Sequence, residues 1–378
     1  MFDFTEEQLM MRDTIRKISL EKIAPRAVEI DETEEYPKDI EKILRDQGIL
    51  KLLIPEKYGG LSGDITTACI VVEEINRVSA AVSMIAYVCY ATTFLMLFAD
   101  DHQKERYLTR MAEGKLMSLC LTEPDAGSDS AAIKSRAIRS GDSYKIDGTK
   151  CFITQGAVVD YHFAFAVTGP GIGSKGISAF IVEKDFPGVS VGKGEKKMGM
   201  RGISASEIIF DGALVPAENR VGKEGHGFKV VMKAFDKIRP IIAAQALGIA
   251  QGAYEYALEY SKNRVAFGEP ISQFQGIQFK LADMVTSIEA ARGLVYRAAH
   301  LIDQGVEDVT LYASMAKYFA SEIAMKVTTD AVQVLGGYGY IRDHPVERMM
   351  RDAKCTQIIE GTSEIQKMII SRRILVGG

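Results

Sequence analysis

The chain has 378 residues and a mass of 41.5 kDa, enough for two or three domains that each bury a core. Apolar residues make up 47% and charged residues 25%, which excludes a disordered or collagen-like chain. Lysine and arginine total 46 against 50 aspartates and glutamates, so the net charge is −4. Without a cationic excess, nucleic acid is not expected as the main partner.

Cysteine and histidine usage predicts a cytoplasmic protein without a metal site. The five cysteines are odd in number and widely spaced, and no two of the five histidines are spaced i, i+4. The acidic start of the chain lacks the basic region of a secretory leader, which favours the cytoplasm. The apolar stretch over residues 78–97 contains serines, threonines and tyrosines, so we interpret it as a buried helix and expect no integral membrane segment.

Glycine usage divides the chain into three segments. Of the 34 glycines, 17 lie between residues 121 and 227. So many turn-forming residues indicate β-structure between two helical regions. The predicted fold class is α+β, with an N-terminal all-α domain over residues 1–119, a central β-barrel or sandwich over residues 120–227, and a C-terminal four-helix bundle over residues 228–378.

The elements follow in chain order. Thr5 and Gln8 form a capping box for the first helix, and Pro37 begins a second. A single buried helix is expected over residues 65–98, followed by a short surface helix over residues 105–111. Asp147-Gly148 predicts a two-residue hairpin turn. Further strands are expected at 161–168, 177–182 and 205–210, and long helices at 228–264, 273–304, 309–335 and 363–375.

Four segments carry polar or glycine patterns that suit a binding site. They are the loop 121–129, the pair Asp236 and Arg239 at i, i+3, the helix end 333–337, and Glu360 between two isoleucines and a glycine. A carboxylate in apolar surroundings can act as a base with a tuned pKa. Each segment also has a structural explanation when taken alone: a surface loop, an intrahelical ion pair, a helix C-cap and a surface glutamate. The glycines at 171 and 173 lack the strand–turn–helix context of a nicotinamide-binding motif.

Together these segments resemble the acyl-CoA dehydrogenase family along essentially the whole chain. The motifs are LTEPDAGSD at 121–129, KCFIT at 150–154, AFDKIRP at 234–240, RVAFG at 264–268, QVLGGYGY at 333–340, MRDAK at 350–354 and IIEGTSEIQ at 358–366. The resemblance implies the three-domain fold described above and a tightly bound FAD. It also implies a homotetramer built as a dimer of dimers, an acyl-CoA substrate and electron-transferring flavoprotein as oxidant.

The resemblance assigns roles residue by residue. Glu360 looks like the base that removes the α-proton of the thioester, while the β-hydride passes to the flavin. Flavin contacts carry over onto Leu121, Thr122, Gly127, Ser128, Phe152, Ile153 and Thr154. Contacts from a neighbouring subunit carry over onto Arg264, Phe267, Gln275, Gln333, Val334, Leu335, Gly336 and Gly337. Thr362, Ser363 and Glu364 look like adenosine-side contacts. Ser128, Asp236, Arg239 and Gly361 match positions that touch the CoA substrate.

Some positions narrow the substrate class. Ile238 stands where isovaleryl and long-chain branches of the family place their base, which leaves Glu360 as the candidate. Glutaryl-CoA members of the family hold the distal carboxylate with an arginine near the position of Ala81. No cationic residue occurs here in 78–98, so the resemblance disfavours a dicarboxylic acyl group. The motif AFDKIRP is closest to short- and medium-chain members. Phe152 replaces a frequent tryptophan. Ile359 replaces a frequent tyrosine, and this smaller side chain either widens the pocket for a branched or alicyclic acyl group or has no effect on it.

The expected activity is therefore the FAD-dependent α,β-dehydrogenation of a short- to medium-chain acyl-CoA to the 2-enoyl-CoA. Two alternatives remain within the same chemistry, an alicyclic acyl-CoA dehydrogenase and an acyl-CoA oxidase that passes electrons to O₂. A third is a non-catalytic helical scaffold that has kept the fold.

Overall fold

The N-terminal part of the chain is helical. The structure, a computed structural model, describes residues 4–87, 91–169 and 173–376. Its first seven α-helices are α1 (Glu6–Ile18), α2 (Ala27–Thr33), α3 (Lys38–Asp46), α4 (Ile65–Asn76), α5 (Ala80–Tyr87), α6 (Ala91–Phe98) and α7 (Asp101–Ala112). The predicted capping box of α1 is confirmed, because the side chain of Thr5 accepts from the N–H of Gln8 at 3.2 Å and Gln8 Oε1 accepts from the N–H of Thr5 at 3.1 Å.

The prediction of one continuous helix over residues 65–98 was wrong. Helix α4 ends at Asn76, and Ser79 then accepts a hydrogen bond from the N–H of Val82 at the start of α5. A serine at this position starts a new helix because its oxygen satisfies a free backbone N–H. Residues 88–90 of the predicted helix lie outside the described part. The stretch Ala80–Phe98 is long and apolar enough to cross a membrane by composition, yet 73% of it is buried inside the fold.

The surface helix expected at 105–111 is longer than the apolar pattern indicated. Helix α7 begins at Asp101, because Asp100 and Gln103 form a reciprocal capping box.

The chain then enters the central sheet. Its strands are β1 (Met117–Cys120), β2 (Arg136–Ser140), β3 (Ser143–Thr154), β4 (Tyr161–Val167), β5 (Ile177–Glu183), β6 (Val189–Gly194), β7 (Ala205–Pro216) and β8 (Arg220–Val221).

The central strands form one eight-stranded sheet in the order β6-β7-β3-β2-β4-β5-β8, with β1 parallel to β4. The hairpin predicted at Asp147-Gly148 was wrong. Strand β3 runs straight through these residues, and Gly148 lies at a register shift against β7, where a Cβ would come within 2.2 Å of Ser135 Oγ. The turn is Gly141-Asp142 instead, since Ser140 pairs with Ser143. The glycine therefore marks a bulge and not a turn.

The C-terminal part is again helical. It contains α8 (Gly227–Asn263), a short hairpin of β9 (Val265–Ala266) and β10 (Glu269–Pro270), α9 (Gln275–Asp303), α10 (Thr310–Leu335), α11 (Val346–Thr356) and α12 (Ser363–Val376). Four of these helices match the predicted bundle, and α11 was not predicted.

Helix α8 packs against α4, α9 and α10. At Gly248 of α8 the backbones approach so closely that a Cβ would lie 2.3 Å from the carbonyl oxygen of Glu73. This close packing fixes α8, which carries Asp236 and Arg239, against the N-terminal helices.

Candidate active site

Glu360 lies in the tight turn that joins α11 to α12. Its φ is 54°, a left-handed conformation that side-chain-bearing residues seldom adopt. The turn is held by Gln366, whose Nε2 donates to the carbonyl oxygens of Glu360 at 3.1 Å and of Gly361 at 3.0 Å. The first turn of α12 therefore fixes the backbone of Glu360, and strain held in this way is typical of functional sites.

The carboxylate of Glu360 has one bonded and one unbonded oxygen. Oε1 accepts a hydrogen bond from the hydroxyl of Tyr87 at the end of α5, whereas Oε2 is buried without a hydrogen-bond partner among the described residues. Buried polar atoms without partners are rare in folded proteins and mark positions where a ligand can bind. Burial raises the pKa of Glu360, and Tyr87, Arg239 and Lys317 oppose that rise. Burial has the larger effect, so the pKa of Glu360 lies above its ordinary value.

Two buried cations face Glu360. Arg239 is 3% exposed, and its Nη1 donates to Asp236 Oδ1 at 2.7 Å, so the i, i+3 pair predicted on α8 forms. Arg239 Nε is buried without a partner in the described structure. Lys317 of α10 is fully buried, and its Nζ donates to the carbonyl oxygen of Gly361 at 2.7 Å. Burial lowers the pKa of Lys317 to about 8, although Glu360 opposes that shift. Both cations stabilise the ionised form of Glu360.

The start of α12 is capped by Thr362, since its Oγ1 accepts from the N–H of Ile365 at 3.3 Å. The spacing of Ser363 and Gln366 in the sequence predicts a capping box formed by those two residues, and that prediction was wrong. Ser363 Oγ donates to Glu322 Oε1 at 2.6 Å instead. Ser363 is therefore tied to α10, and the side chain of Gln366 is free to hold the turn at Glu360.

The loop 121–129 is organised by a buried ion pair that the sequence analysis missed. Lys150 of β3 is fully buried, and its Nζ donates to Glu123 Oε1 at 2.7 Å and to the carbonyl oxygen of Leu121 at 3.2 Å. Glu123 also accepts from the backbone N–H groups of Lys134 and Ser135. Burial alone would raise the pKa of Glu123, but Lys150 and these N–H groups lower it overall. Gly127 and Ser128 are exposed at the outer end of this loop.

The end of β3 lies directly beside that loop. The backbone N–H of Cys151 donates to the carbonyl oxygen of Thr122 at 2.9 Å. Phe152 is 63% exposed with a φ of 58°, while the side chain of Ile153 is 2% exposed and belongs to the core of the sheet. Ile153 can therefore contact a ligand on this face through its backbone but not through its side chain. Phe152 has a solvent-exposed aromatic ring.

A separate cavity of about 500 Å³ lies in the C-terminal part of the chain. Its lining includes Arg264 and the residues 334–337, which the sequence analysis had grouped as contacts made from a neighbouring subunit. The guanidinium of Arg264 lies 5.4 Å from the ring centre of Tyr338. Phe267 is 98% exposed beside it, and Gln275 and Gln333 are also exposed. All the described residues that line this cavity come from α8, α10 and the segments that follow them.

Comparison with protein families identifies the class. The chain matches the acyl-CoA dehydrogenase N-terminal domain over residues 5–115, the middle domain over 118–213 and the C-terminal domain over 225–375. Together these three matches cover nearly the whole chain. The chain belongs to the acyl-CoA dehydrogenase family, whose members are FAD-dependent oxidoreductases.

Individual relatives agree along their full length. An acyl-CoA dehydrogenase of Bacillus subtilis is 47% identical over 99% of both chains. A cyclohex-1-ene-1-carbonyl-CoA dehydrogenase of Geobacter metallireducens is 47% identical over 98% of both. The butyryl-CoA dehydrogenase structure from Megasphaera elsdenii is 42% identical, with a TM-score of 0.96 over 99% of this chain and 100% of that one. The names of two of these relatives describe different acyl groups, a cyclohexene-carbonyl group and a butyryl group.

The exposed residues of the chain fit a flavin. Phe152 offers a ring face, the loop beside it offers exposed backbone and hydroxyl groups, and the exposed guanidinium of Arg264 suits a pyrophosphate. The buried and unbonded Oε2 of Glu360 provides a proton acceptor with no competing partner in the described structure. Sequence reasoning gave no role to Tyr87, Lys317 or Lys150. Lys150 is the first residue of the KCFIT motif, and Lys317 interrupts a stripe of alanines on α10 at 313, 316, 320 and 324.

Proposed function

We propose that this protein removes the α-proton and the β-hydride of a short- to medium-chain acyl-CoA, giving the 2-enoyl-CoA, with Glu360 as the base. The observation that carries the proposal is the carboxylate of Glu360, which is held by Tyr87 on one oxygen and buried without a partner on the other. A thioester α-proton is weakly acidic, so its acceptor must be positioned and desolvated in advance.

The residues around Glu360 support this role. Arg239 and Lys317 favour its ionised form, which is the form that accepts a proton. Burial raises its pKa, which makes the carboxylate a stronger base than a solvated one. Gln366 fixes the backbone of the turn, which restricts the movement of Glu360. The α C–H bond breaks, and its electron pair enters the new double bond as the proton reaches Glu360.

FAD, when bound, supplies the acceptor for the β-hydride and its two electrons. We assign its binding to the residues that the family resemblance indicated. In one subunit they are Leu121, Thr122, Gly127, Ser128, Phe152, Ile153, Thr154, Thr362, Ser363 and Glu364. In a second subunit they are Arg264, Phe267, Gln275, Gln333, Val334, Leu335, Gly336 and Gly337. We assign contacts with the CoA substrate to Ser128, Asp236, Arg239 and Gly361.

The acyl group is expected to be uncharged and short to medium in length, with branched or alicyclic groups as the main variation. Ile238 occupies the position where other branches of the family place their base. It is an aliphatic residue of the core, 2% exposed, so Glu360 remains the candidate base. No cation on α5 or α6 would pair with a distal carboxylate. Ile359, beside the base, is a partly buried aliphatic residue that packs against the core and suits an apolar acyl group.

We expect a homotetramer, a dimer of dimers, that passes its electrons to electron-transferring flavoprotein. Support for assembly comes from exposed apolar side chains in the C-terminal part of the chain. They include Phe267 at 98%, Tyr340 at 86% and Phe279 at 60% exposure. Apolar surface of this kind indicates a protein partner, and a second copy would complete the cavity. Membership of the acyl-CoA dehydrogenase family supports electron-transferring flavoprotein as the electron acceptor.

The remaining assignments concern location and domain limits. The four described cysteines are all free, which fits a reducing cytoplasm. We place the domain limits at residues 1–119, 120–227 and 228–378. The first change in element type, from α7 to β1, falls close to the first of these limits, and the start of α8 at Gly227 falls close to the second.

The decisive experiment is anaerobic flavin bleaching by acyl-CoA in the purified holoprotein. Glu360→Gln should keep the flavin and the acyl-CoA affinity and lower the bleaching rate by several orders of magnitude. Glu259→Gln, an exposed glutamate on α8, is the matched control and should react like wild type. An unchanged rate in Glu360→Gln would overturn the assignment of the base. Fast reoxidation of the reduced protein by O₂ would identify an oxidase instead.

A further inference from the structure

Tyr87 links the N-terminal helices to the proposed base. It is the last described residue of α5, and its hydroxyl donates to Oε1 of Glu360 from 273 positions away in the chain. Tyr87 is itself half-buried. The aromatic side chain therefore lies between α5 and the turn that carries Glu360, on the side of the carboxylate away from the unbonded Oε2.

This contact places the phenol oxygen of Tyr87 near the reacting carbon of a substrate bound for proton removal. The α-carbon of a substrate must come within about 3.2 Å of the carboxylate for proton removal. A hydroxyl bonded to the same carboxylate is about 2.7 Å from its oxygen. The phenol oxygen is therefore within roughly 6–8 Å of the reacting carbon, once the span of the carboxylate is included. An acyl chain that extends beyond its β-carbon in this direction meets the ring.

Helix α5 is held in place by two buried amides. Gln245 of α8 is 2% exposed, and its Nε2 donates to Ser83 Oγ at 3.0 Å and lies 3.2 Å from Met84 Sδ. Gln155, which is fully buried in the turn after β3, donates from Nε2 to the carbonyl oxygen of Met84 at 2.9 Å. These amides bind α5 to the C-terminal helices and to the sheet one turn before Tyr87, so a longer acyl group in this region has to displace the side chain of Tyr87.

We propose that Tyr87 is both a positioning residue for Glu360 and the residue that limits acyl-chain length in this protein. Its hydroxyl fixes the carboxylate, and its ring occupies the space that the distal carbons of a longer chain would need. The inference rests on the proposed function and narrows it, because it assigns butyryl-sized acyl groups as the preferred substrates and octanoyl-sized groups as poor ones.

The two roles can be separated by substitution. Tyr87→Phe keeps the ring and removes the hydroxyl, so chain-length preference should persist. The charged and titratable groups that act on Glu360 are Tyr87 from α5, Arg239 from α8 and Lys317 from α10, and Asp236 pairs with Arg239. Because the Tyr87 hydrogen bond lowers the pKa of Glu360, its loss should raise that pKa and move the acid limb of kcat/KM to higher pH.

The test measures flavin bleaching by butyryl-, hexanoyl- and octanoyl-CoA in wild type, Tyr87→Phe and Tyr87→Ala holoproteins. Tyr87→Ala should raise the octanoyl-to-butyryl ratio of kcat/KM by about tenfold or more, since pocket volume of a few methylenes changes selectivity on that scale. Calorimetric binding of unreactive butyl-CoA and octyl-CoA thioethers gives a second readout, and the ratio of their Kd values should change in the same direction.

Tyr256→Phe is the matched control, because it removes the phenol that bonds to His344 Nδ1 elsewhere on α8. It should leave both the ratio and the pH profile unchanged. A ratio within twofold of wild type in Tyr87→Ala, or an unshifted acid limb in Tyr87→Phe, would overturn the inference while leaving the proposed function intact. A wild-type protein that none of the thioesters bleaches would refute the proposed function, and this inference with it.

Discussion

The ammonium group of Lys317 lies 2.7 Å from the carbonyl oxygen of Gly361, immediately after the proposed base. Because Lys317 is fully buried, its charge acts on Glu360 with little screening by water. The two groups affect each other, since Lys317 lowers the pKa of Glu360 and Glu360 raises that of Lys317. A buried lysine on α10 thus helps to keep the base ionised at neutral pH.

Replacing Lys317 should weaken the base on the acid side. In Lys317→Met the positive charge is lost, the pKa of Glu360 rises, and the acid limb of the bleaching rate should move up by about one pH unit. The pKa of Lys317 is about 8, so the charge that the variant lacks is present in wild type only below that pH. The difference between the two proteins should therefore shrink above pH 8. Stopped-flow bleaching from pH 5.5 to 9.5 measures both effects.

Lys326→Met provides the control on the same helix. Lys326 is 57% exposed and paired with Asp330, so its charge is screened by solvent. Its pH profile should coincide with that of wild type. If Lys317→Met gave the wild-type acid limb, Lys317 would have no electrostatic effect on the base.

The buried pair of Lys150 and Glu123 should control flavin retention. Lys150→Met leaves the carboxylate of Glu123 buried without its cation, which costs about 3–5 kcal/mol in buried pairs. The loop 121–129 should then lose its anchor, so the variant should purify with less flavin per chain and unfold at lower denaturant concentration. Absorbance of the bound flavin and denaturant unfolding measure the two effects.

Two comparisons test the cause of that loss. Lys134→Met removes a 74% exposed lysine paired with Asp125 in the same loop region, and its effect should stay within about 0.5 kcal/mol. Lys150→Met combined with Glu123→Gln removes the uncompensated charge and should recover part of the stability. A double variant as unstable as Lys150→Met alone would show that packing, not charge, explains the loss.

Features that depend on contacts between residues close together in the chain were predicted from the sequence. Features that depend on contacts between distant residues were not. The Thr5–Gln8 capping box and the long periodic helices depend on contacts within a few residues, so their pattern is visible in the chain. The fold class and the family follow from such patterns and from motifs. Asp147-Gly148 has the composition of a turn but pairs with β7, which lies about sixty residues away, and tertiary pairing decided its conformation.

The same distinction holds in the site. Glu360 was predicted from a local motif, and the i, i+3 pair of Asp236 and Arg239 from spacing. The contact between Tyr87 and Glu360 joins residues 273 positions apart, and no local pattern marks it. Lys150 and Glu123 are 27 positions apart and meet only because β3 passes beneath the loop. The polar groups that influence the pKa of Glu360 therefore come together only in the folded chain, and the local sequence does not reveal them.

His162 should make the protein acid-sensitive. It is fully buried in β4 beside Ser118, and burial lowers its pKa to about 4 from an ordinary 6.5. Between these values the unfolded chain binds more protons than the folded one, so stability falls as pH decreases through this range. At pH 5 the loss relative to pH 7.5 is about 2 kcal/mol from this group alone. Denaturant unfolding at the two pH values measures it.

His162→Gln removes the titration and should reduce the acid sensitivity by that amount. His300→Gln, at an exposed position near the end of α9, should keep the wild-type dependence on pH. An acid sensitivity equal in wild type and His162→Gln would mean that His162 does not titrate across the unfolding transition.

The exposed aromatic surface of the C-terminal part should hold the subunits together. Phe267→Glu and Phe279→Glu each place a charge on apolar surface that is 98% and 60% exposed in the single chain, and a charge buried in a subunit contact is costly. Both variants should therefore shift the protein toward smaller species in analytical ultracentrifugation. Because Arg264 and residues 334–337 are proposed to reach the flavin of a second subunit, dissociation should also release flavin. Ile138→Glu on β2, at a residue that is 62% exposed, should change neither mass nor flavin content. Loss of flavin from Phe267→Glu at unchanged mass would assign Phe267 to cofactor contact alone, and a normal mass in Phe279→Glu would remove this surface from the subunit interface.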